Sequence, residues 1–259
     1  MGTKQLVIIK GDEIKMLQIE SLKKTYLQSK NNSFLALDSI NLKVKKGEFI
    51  CVMGPSGSGK TTLLNCISGF LSADSGDIIL DGDSIFNIDE DSMADLRQKK
   101  LGFVFQEFML IDGLTVEENI YLPQIISNRN INSIVQRTNL LLNTFGIYEL
   151  KNKYPYQISG GEKQRTSIAR ALANNPLTIL ADEPTGNLDS KSSNNVIEAF
   201  LDARDKLNAT IFMVSHDAFA AAHADRIIIL KDGKIIDELV KKGDTKEFFD
   251  EILALMKRW

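Results

Sequence analysis

Apolar residues of the chain are grouped in short runs whose spacing predicts a sheet. Apolar and polar residues alternate in 17–22 and 40–44, which is the pattern of strands with one buried face. Residues 49–53 form a continuous apolar run, which is typical of a strand buried on both faces. Three later runs have the same buried character, namely 177–181, 210–214 and 226–230.

Segments with helical spacing follow and separate these runs. Leu63, Leu64, Ile67 and Phe70 recur at the interval of one helix face. The other predicted helices are 117–121, 134–145, 166–174, 192–206 and a charged tail from residue 241. Strands that alternate with helices predict an α/β fold with a mostly parallel sheet and right-handed crossovers.

Composition and charge narrow the functional classes. The 259-residue chain has a net charge of −3, so no basic field indicates nucleic-acid binding. Its two cysteines, Cys51 and Cys66, are too few for a disulfide framework, and we expect buried free thiols. No apolar run reaches the ~18 residues of a membrane helix, and the N-terminus lacks a secretory pattern. We therefore expect a cytoplasmic protein that meets the membrane through a partner.

The predicted strand pattern divides the chain into three parts. Residues 1–15 are expected to be an N-terminal extension, either a tag or an upstream segment, because the first strand begins just after Met16, a candidate native start. Residues 16–240 hold the main domain, and residues 241–259 form the helical tail.

A Gly-rich loop joins the buried strand 49–53 to the helix after it. The loop fits G-x-x-x-x-G-K-[ST], whose glycines let backbone N–H groups close around phosphate. Lys60 is expected to reach the β- and γ-phosphates, and Thr61 to offer its hydroxyl to Mg²⁺. A surface loop is the alternative, but the strand and helix on either side favour a phosphate site. The candidate nucleotide contacts here are Gly54, Ser56, Gly57, Ser58, Gly59, Lys60, Thr61 and Thr62.

Polar side chains that follow other buried strands complete this candidate site. Asp182 ends one strand and is expected to hold Mg²⁺, while the adjacent Glu183 is a candidate to polarise an attacking water. His216 follows another strand and is a candidate contact for the γ-phosphate or for the water at Glu183. Gln106, which is expected to close a strand 103–106, suits a water or metal contact.

A second anion site is predicted in the segment ISGGEKQR, residues 158–165. A Ser-Gly-Gly turn that opens a helix presents free backbone N–H groups and the positive end of the helix dipole. We assign nucleotide contact to Ser159 and Gly161. The alternative is a structural capping box between Ser159 and Glu162, and we assign that structural role to Glu162.

These motifs together resemble the ATP-binding-cassette ATPases over residues 16–240. The shared motifs, in the order of that family, are GPSGSGKT, Gln106, ISGGEKQR, LTILADEP, Asn187-Leu188-Asp189 and His216. The resemblance implies a P-loop NTPase core of RecA-like type with an antiparallel β subdomain and an inserted helical subdomain over about 107–163. It also implies ATP and Mg²⁺ as cofactors, and a head-to-tail homodimer that holds two ATP molecules.

The resemblance also implies roles for single residues. Glu183 matches the general base, Asp182 the metal acid and His216 the γ-phosphate switch. Gln106 matches a sensor between the metal and the helical lobe, with Thr61 as a further metal contact. Tyr26 matches the aromatic residue that stacks on adenine, and Asp189 matches the loop that contacts the other subunit. An ordinary strand-end tyrosine is the alternative for Tyr26.

Within the family, the motifs LGFVFQ and DEPTGNLD resemble the macrolide-export, lipoprotein-release and cell-division ATPases. The segments 105–116 and 243–249 look most like bacitracin- and lantibiotic-resistance ATPases. We therefore expect an ATP-hydrolysing subunit on the inner face of the cell membrane that powers a permease of the macrolide-export and cell-division type. Removal or export of peptide antibiotics is the leading hypothesis, and ATP-dependent regulation of a membrane protein in cell-wall or division machinery is the alternative.

The apolar residues Phe108, Met109, Leu110 and Ile111 follow Gln106 directly. A groove for a cytoplasmic helix of the permease is one interpretation, because Met- and Phe-rich surfaces suit helix capture. Packing inside the helical lobe is the other. A nucleic-acid ATPase is disfavoured by the slightly acidic charge, and a GTPase by the lack of an Asn-Lys-x-Asp motif.

Overall fold

The strands fall into two sheets in the computed structural model, which describes residues 15–29 and 32–257. In chain order the strands are β1 Lys15–Ser29, β2 Asn32–Lys45, β3 Phe49–Met53, β4 Ser75–Leu80, β5 Asp83–Ser84, β6 Leu101–Val104, β7 Thr178–Asp182, β8 Thr210–Val214, β9 Arg226–Lys231 and β10 Lys234–Val240. The extension predicted over residues 1–15 lies outside the described residues except for Lys15, which begins β1.

The larger sheet has the strand order β10-β9-β3-β8-β7-β6. All neighbours in it pair in parallel except β9 and β10, which form an antiparallel hairpin. Every residue of β3 and β8 is buried, as the continuous apolar runs predict. The prediction of an α/β fold around a mostly parallel sheet is confirmed.

The smaller sheet is antiparallel, in the order β2-β1-β4-β5. Its two long strands extend well beyond the predicted segments 17–22 and 40–44. Alternation fails as a guide here because the pairing shifts register at several points, and Ser21 and Ser39 adopt positive φ angles of 49° and 56°.

Helices cover both faces of the large sheet. They are α1 Lys60–Ile67, α2 Glu90–Lys100, α3 Val116–Ile126, α4 Ile131–Thr144, α5 Gly160–Ala171, α6 Ser190–Leu207, α7 Ala218–Ala221 and α8 Thr245–Met256. The pattern did not predict α2, because Met93 is its one buried residue and most of the others are polar or charged.

The helical spacing predicted a start of α5 at residue 166, which is wrong by six residues, whereas the predicted capping box at Ser159 is present. The helix begins at Gly160, because the Ser159 side chain caps it and makes a glycine pair compatible with the first turn. It ends at Ala171 rather than at residue 174.

The predicted strand 103–106 is also displaced. Parallel pairing between β6 and β7 ends where Val104 faces Ala181, so Gln106 lies two residues beyond the strand, in a turn. Gln106 therefore reaches its surroundings from a loop rather than from a strand end.

Helices α3, α4 and α5 pack together and form a helical lobe beside β6. Its interior continues the core under the large sheet, through residues such as Ile120, Leu141, Leu142 and Ile168, each fully buried. The boundaries 107–163 of the helical subdomain, like those of the other domains, stay a prediction.

Candidate functional site

The Gly-rich loop lies between β3 and α1, as predicted, and its glycines are fixed by close contacts. A Cβ atom on Gly54 would lie 2.0 Å from the carbonyl oxygen of Leu230, in the neighbouring β9. A Cβ atom on Gly59, whose φ is +105°, would lie 2.5 Å from the carbonyl oxygen of Ala36. At Gly57, also with positive φ, nothing lies within 4 Å, so this residue faces open space. The loop is thus packed against backbone on one side and open on the other.

A cavity of about 620 Å³ lies on the open side. Its polar wall is the loop and the start of α1, together with Glu183 and His216. Its apolar wall comes from Phe34, Ala36 and Met256, of which the last lies at the end of α8. The predicted contacts Gly54, Ser56, Gly57, Ser58, Gly59, Lys60, Thr61 and Thr62 all line this cavity. Among the described residues, the predicted base contact Tyr26 does not line it.

The Lys60 ammonium lies over the loop and donates hydrogen bonds to two of its carbonyls. The acceptors are Gly54, at 2.8 Å, and Pro55, at 3.0 Å. Burial lowers the pKa of Lys60, and the charges of Glu183 and Asp182 offset part of this shift. The position suits a cation that exchanges carbonyl partners for phosphate oxygens.

Asp182 is the last residue of β7, as predicted. Burial raises the pKa of its carboxyl group, the neighbouring charge of Glu183 raises it further, and Lys60 counteracts both. A divalent cation bound there would relieve this shift, because it offsets the two adjacent carboxylates. Among the described residues no group of three or more His, Cys, Asp or Glu side chains could hold a metal ion alone, so a cation there would need hydroxyl, water or phosphate ligands as well.

Glu183 is held at the cavity by the strand beside it. Its φ is 45°, and its N–H donates to the Val214 carbonyl, 3.0 Å away. The hydroxyl of Ser215 and the N–H of His216 donate to one carboxylate oxygen, both at 3.2 Å. The other oxygen lies 2.9 Å from His216 Nδ1. The carboxylate is therefore oriented by three groups of one turn.

Ser215 is a member of this site that the sequence reasoning missed. The residue is fully buried, and its hydroxyl also accepts a hydrogen bond from the Asp217 N–H at 3.0 Å. The sequence signal that could have identified Ser215 is its position directly before His216, just after a buried strand.

Gln106 lies outside the cavity in this structure. Its side-chain amide donates to Asn187 Oδ1 at 3.0 Å, and the Asn187 amide donates back to the Gln106 carbonyl at 3.3 Å. The two predicted motifs that contain these residues are thereby joined. Asp189 caps α6 and accepts hydrogen bonds from Lys191 N–H and from Ser192.

Tyr26 and Phe34 face each other directly across the β1–β2 pair. Residues that are directly opposite share one face of a sheet. The Tyr26 hydroxyl lies 3.4 Å from the Thr62 hydroxyl on α1, which places this ring beside the cavity rather than in its wall. Both side chains are well exposed, at 39% for Tyr26 and 45% for Phe34. Sequence reasoning missed Phe34, because the pairing register alone identifies it.

Ser159 forms the capping box that was the alternative interpretation. Its N–H and hydroxyl donate to the Glu162 carboxylate at 2.7 and 2.8 Å, and the Glu162 N–H points back at the Ser159 hydroxyl at 3.4 Å. Burial would raise the pKa of Glu162, but the hydrogen bonds from Ser159 prevail and lower it. Ser159 is exposed and lies outside the cavity of its own chain.

Gly161 has a structural reason for being glycine. It is buried against α6, where an added Cβ atom would lie 3.1 Å from Ser192 Cβ. Ser159 is exposed, and its N–H and hydroxyl both donate to Glu162, so the nucleotide contact of Ser159 and Gly161 stays a prediction.

Comparison with known proteins identifies a common group. Residues 37–186 match the family model described as ABC transporter. The chain is 43% identical to the bacitracin export ATP-binding protein of Halalkalibacterium halodurans over 239 residues, covering 92% of this chain and 94% of that protein. It is 39% identical to a lipoprotein-releasing system ATP-binding protein of Chlorobium chlorochromatii, covering 85% and 90%.

A solved structure of the same kind is similar in shape. The dimeric ATP-binding cassette MJ0796 of Methanocaldococcus jannaschii, in a post-hydrolysis state bound to ADP and phosphate, superposes with a TM-score of 0.78 at 38% identity. The match covers 88% of this chain and all of that one.

Proposed function

The chain belongs to the ABC transporter family, and on that premise we propose that it powers a membrane permease for the export or removal of peptide antibiotics. As a member of the family it is a nucleotide-binding ATP hydrolase. The similarity to a bacitracin export ATP-binding protein over almost the whole chain supports the peptide substrate class. The observation that carries the enzymatic part is the oriented Glu183 carboxylate at the mouth of the cavity beside Lys60.

The residues of the cavity divide the chemistry between them. Backbone N–H groups of the loop and the Lys60 ammonium bind the triphosphate, and Thr61 and Asp182 would hold Mg²⁺. That cation, when bound, offsets charge on the phosphates. Hydrogen bonds from Ser215 and His216 fix the Glu183 carboxylate in the wall of the cavity, where it is proposed to orient a water and take its proton. His216 contacts Glu183 and lines the cavity, and we propose that it contacts the γ-phosphate there.

We propose that the active form is a head-to-tail homodimer with ATP between the subunits. MJ0796 is dimeric in the nucleotide-bound structure that matches this fold. Ser159 and the first turn of α5 lie outside their own cavity, so the second chain would bring them to the γ-phosphate. In the proposed dimer, the N-terminus of α5 from one chain would add a second anion site on the open side of the other chain's cavity.

The membrane partner is proposed to dock on the surface Phe108–Ile111, that is, residues 108 to 111. Met109 is 54% exposed and Ile111 is 45% exposed, which favours docking over packing inside the lobe. Among the described residues, no helix is long and apolar enough to cross a membrane. Similarity to a macrolide export ATP-binding/permease protein, at 41% identity over 87% of this chain, supports the proposal that the chain lies on the inner face of the cell membrane through a permease of that type.

Charging Met109 tests this docking surface. Met109→Asp should abolish co-purification with the native permease and leave soluble expression and basal ATPase activity unchanged, because the side chain is half exposed. Ile236→Asp is the matched control, since Ile236 is also 54% exposed but lies on edge strand β10. Co-purification that survives Met109→Asp contradicts the assignment.

Removing the proposed base tests the chemistry. Glu183→Gln should reduce ATP turnover by at least about 100-fold, since a general base contributes 10²- to 10⁴-fold. An ATP-bound dimer should accumulate and elute earlier in size-exclusion chromatography. Glu198→Gln is the control, because that carboxylate is exposed on α6 and lies outside the cavity. Ordinary turnover by Glu183→Gln would remove Glu183 from the role of base.

Two aromatic side chains, Tyr26 and Phe34, are the candidates to stack on the adenine ring of ATP. Tyr26→Ala and Phe34→Ala should each weaken ATP binding by about 5- to 150-fold, since base stacking is worth about 1–3 kcal/mol. Affinity for inorganic tripolyphosphate, which has no base, should not change, whereas Lys60→Ala should weaken both ligands. Calorimetry gives the affinities for ATP and for tripolyphosphate. A variant whose ratio of the two affinities equals that of the parent protein shows that the substituted residue does not contact the adenine ring.

A further inference from the structure

Two consecutive residues after Gln106 have an unusual backbone conformation. Phe108 has a φ of 62° and Met109 a φ of 50°, both in the left-handed region that residues other than glycine avoid. Short local hydrogen bonds, from Phe108 N–H to Phe105 and from Met109 N–H to Glu107, close the turn at 3.2 and 2.6 Å. This turn contains Phe108 and Met109, the first two residues of the proposed docking surface. Its positive φ angles cost free energy, which contacts with the rest of the protein have to offset.

Arg170 binds both carbonyls of this turn. Its guanidinium donates to the carbonyl oxygen of Phe108 at 2.9 Å and to that of Met109. Among the described residues Arg170 forms no ion pair, and burial lowers its pKa to about 10. Burial of a guanidinium costs free energy unless its N–H groups are hydrogen-bonded, and here the carbonyls of Phe108 and Met109 accept from it.

Arg170 lies on the helix that begins at the second anion site. Near the start of α5, Gln164 donates to the Phe105 carbonyl at 3.1 Å and to the Pro184 carbonyl at 2.7 Å. Near its end, Arg170 holds Phe108 and Met109. Helix α5 therefore contacts residues 105–109 at two points, through Gln164 and through Arg170, and Ser159 caps its N-terminus.

We propose that Arg170 is a positioning residue that holds the left-handed turn at Phe108 and Met109, so that the docking surface moves with α5. In this way a displacement of Ser159, when the partner's nucleotide arrives, is transmitted to the membrane-facing surface. The transmission from Ser159 to the docking surface rests on the proposed function. The positioning of the turn by Arg170 rests only on their hydrogen bonds.

A comparison of glycine with alanine at position 109 tests whether Arg170 keeps this turn in its left-handed conformation. Met109→Gly and Met109→Ala remove nearly the same exposed side chain, but alanine keeps the cost of a positive φ. With Arg170 present, the Met109→Gly protein should melt about 2–4 °C above the Met109→Ala protein, the shift expected for a left-handed alanine in a chain of this size. In the Arg170→Ala background this difference should shrink toward zero, because the turn is released. The same difference in both backgrounds overturns the proposal.

Hydrogen exchange tests the transmission. In the Glu183→Gln background, MgATP should slow amide exchange in residues 105–111, and adding Arg170→Ala should abolish this response while ATP affinity stays within about twofold. Arg170→Lys, which keeps the charge and a donor, should restore part of it. Arg137→Ala is the matched control. Arg137 is also partly buried, and it donates at 2.8 Å to the carbonyl of Leu172, the residue after α5, rather than to the turn at Phe108 and Met109.

The outcomes separate the two claims. A parent protein that binds MgATP but shows no exchange response in residues 105–111 overturns the transmission, as does an intact response in the Arg170→Ala protein. A parent protein that does not bind MgATP contradicts the proposed function instead, and the melting comparison at position 109 still tests the turn.

Discussion

The register of the central parallel strands places the Gly-rich loop, the Asp182–Glu183 pair and the His216 turn at one sheet edge. Val52 faces Val214, and Val214 faces Asp182, so β3, β8 and β7 end at the same level. The ladder then continues one residue further on each side: Ser215 N–H donates to Val52, and Glu183 N–H donates to Val214. Because backbone pairing fixes these positions, the loop, the acidic pair and the His216 turn converge without long connecting segments.

This convergence concentrates charge at one sheet edge. Asp182 and Glu183 are adjacent, and Lys60 is the cation whose charge opposes the raised pKa of Asp182. A nucleoside triphosphate alone would add negative charge to this edge. A divalent cation and the N–H groups of the loop would offset that charge. The glycines complete the arrangement, because Gly54 must approach the Leu230 carbonyl closely for the loop to start at this level.

The sequence was most informative where chemistry and a local element coincide. The Gly-rich loop, Asp182 and the capping residues Ser159 and Glu162 were predicted, because strand ends and helix starts have local patterns. Phe34 was not, since its position opposite Tyr26 depends on the register of a hairpin with several irregularities.

Contacts between distant segments also escaped prediction. Arg170 contacts a turn about sixty residues earlier, and no spacing reveals that pair. Gln106 was placed on a strand because the apolar run continues past Val104, whereas the parallel pairing stops there. Helix α2 was missed because a surface helix with one buried residue has little periodicity.

The central claim is that each ATP site is shared by two chains, the loop from one and Ser159 from the other. Mixing differently tagged Lys60→Ala and Ser159→Arg proteins tests it most directly, because each variant alone lacks one half of both sites. In a mixed dimer, one site combines an intact loop with an intact Ser159. The account predicts that ATP hydrolysis, nearly absent in each variant, returns in the purified mixed dimer. A mixed dimer as inactive as its components, or full activity of the Ser159→Arg protein alone, would contradict it.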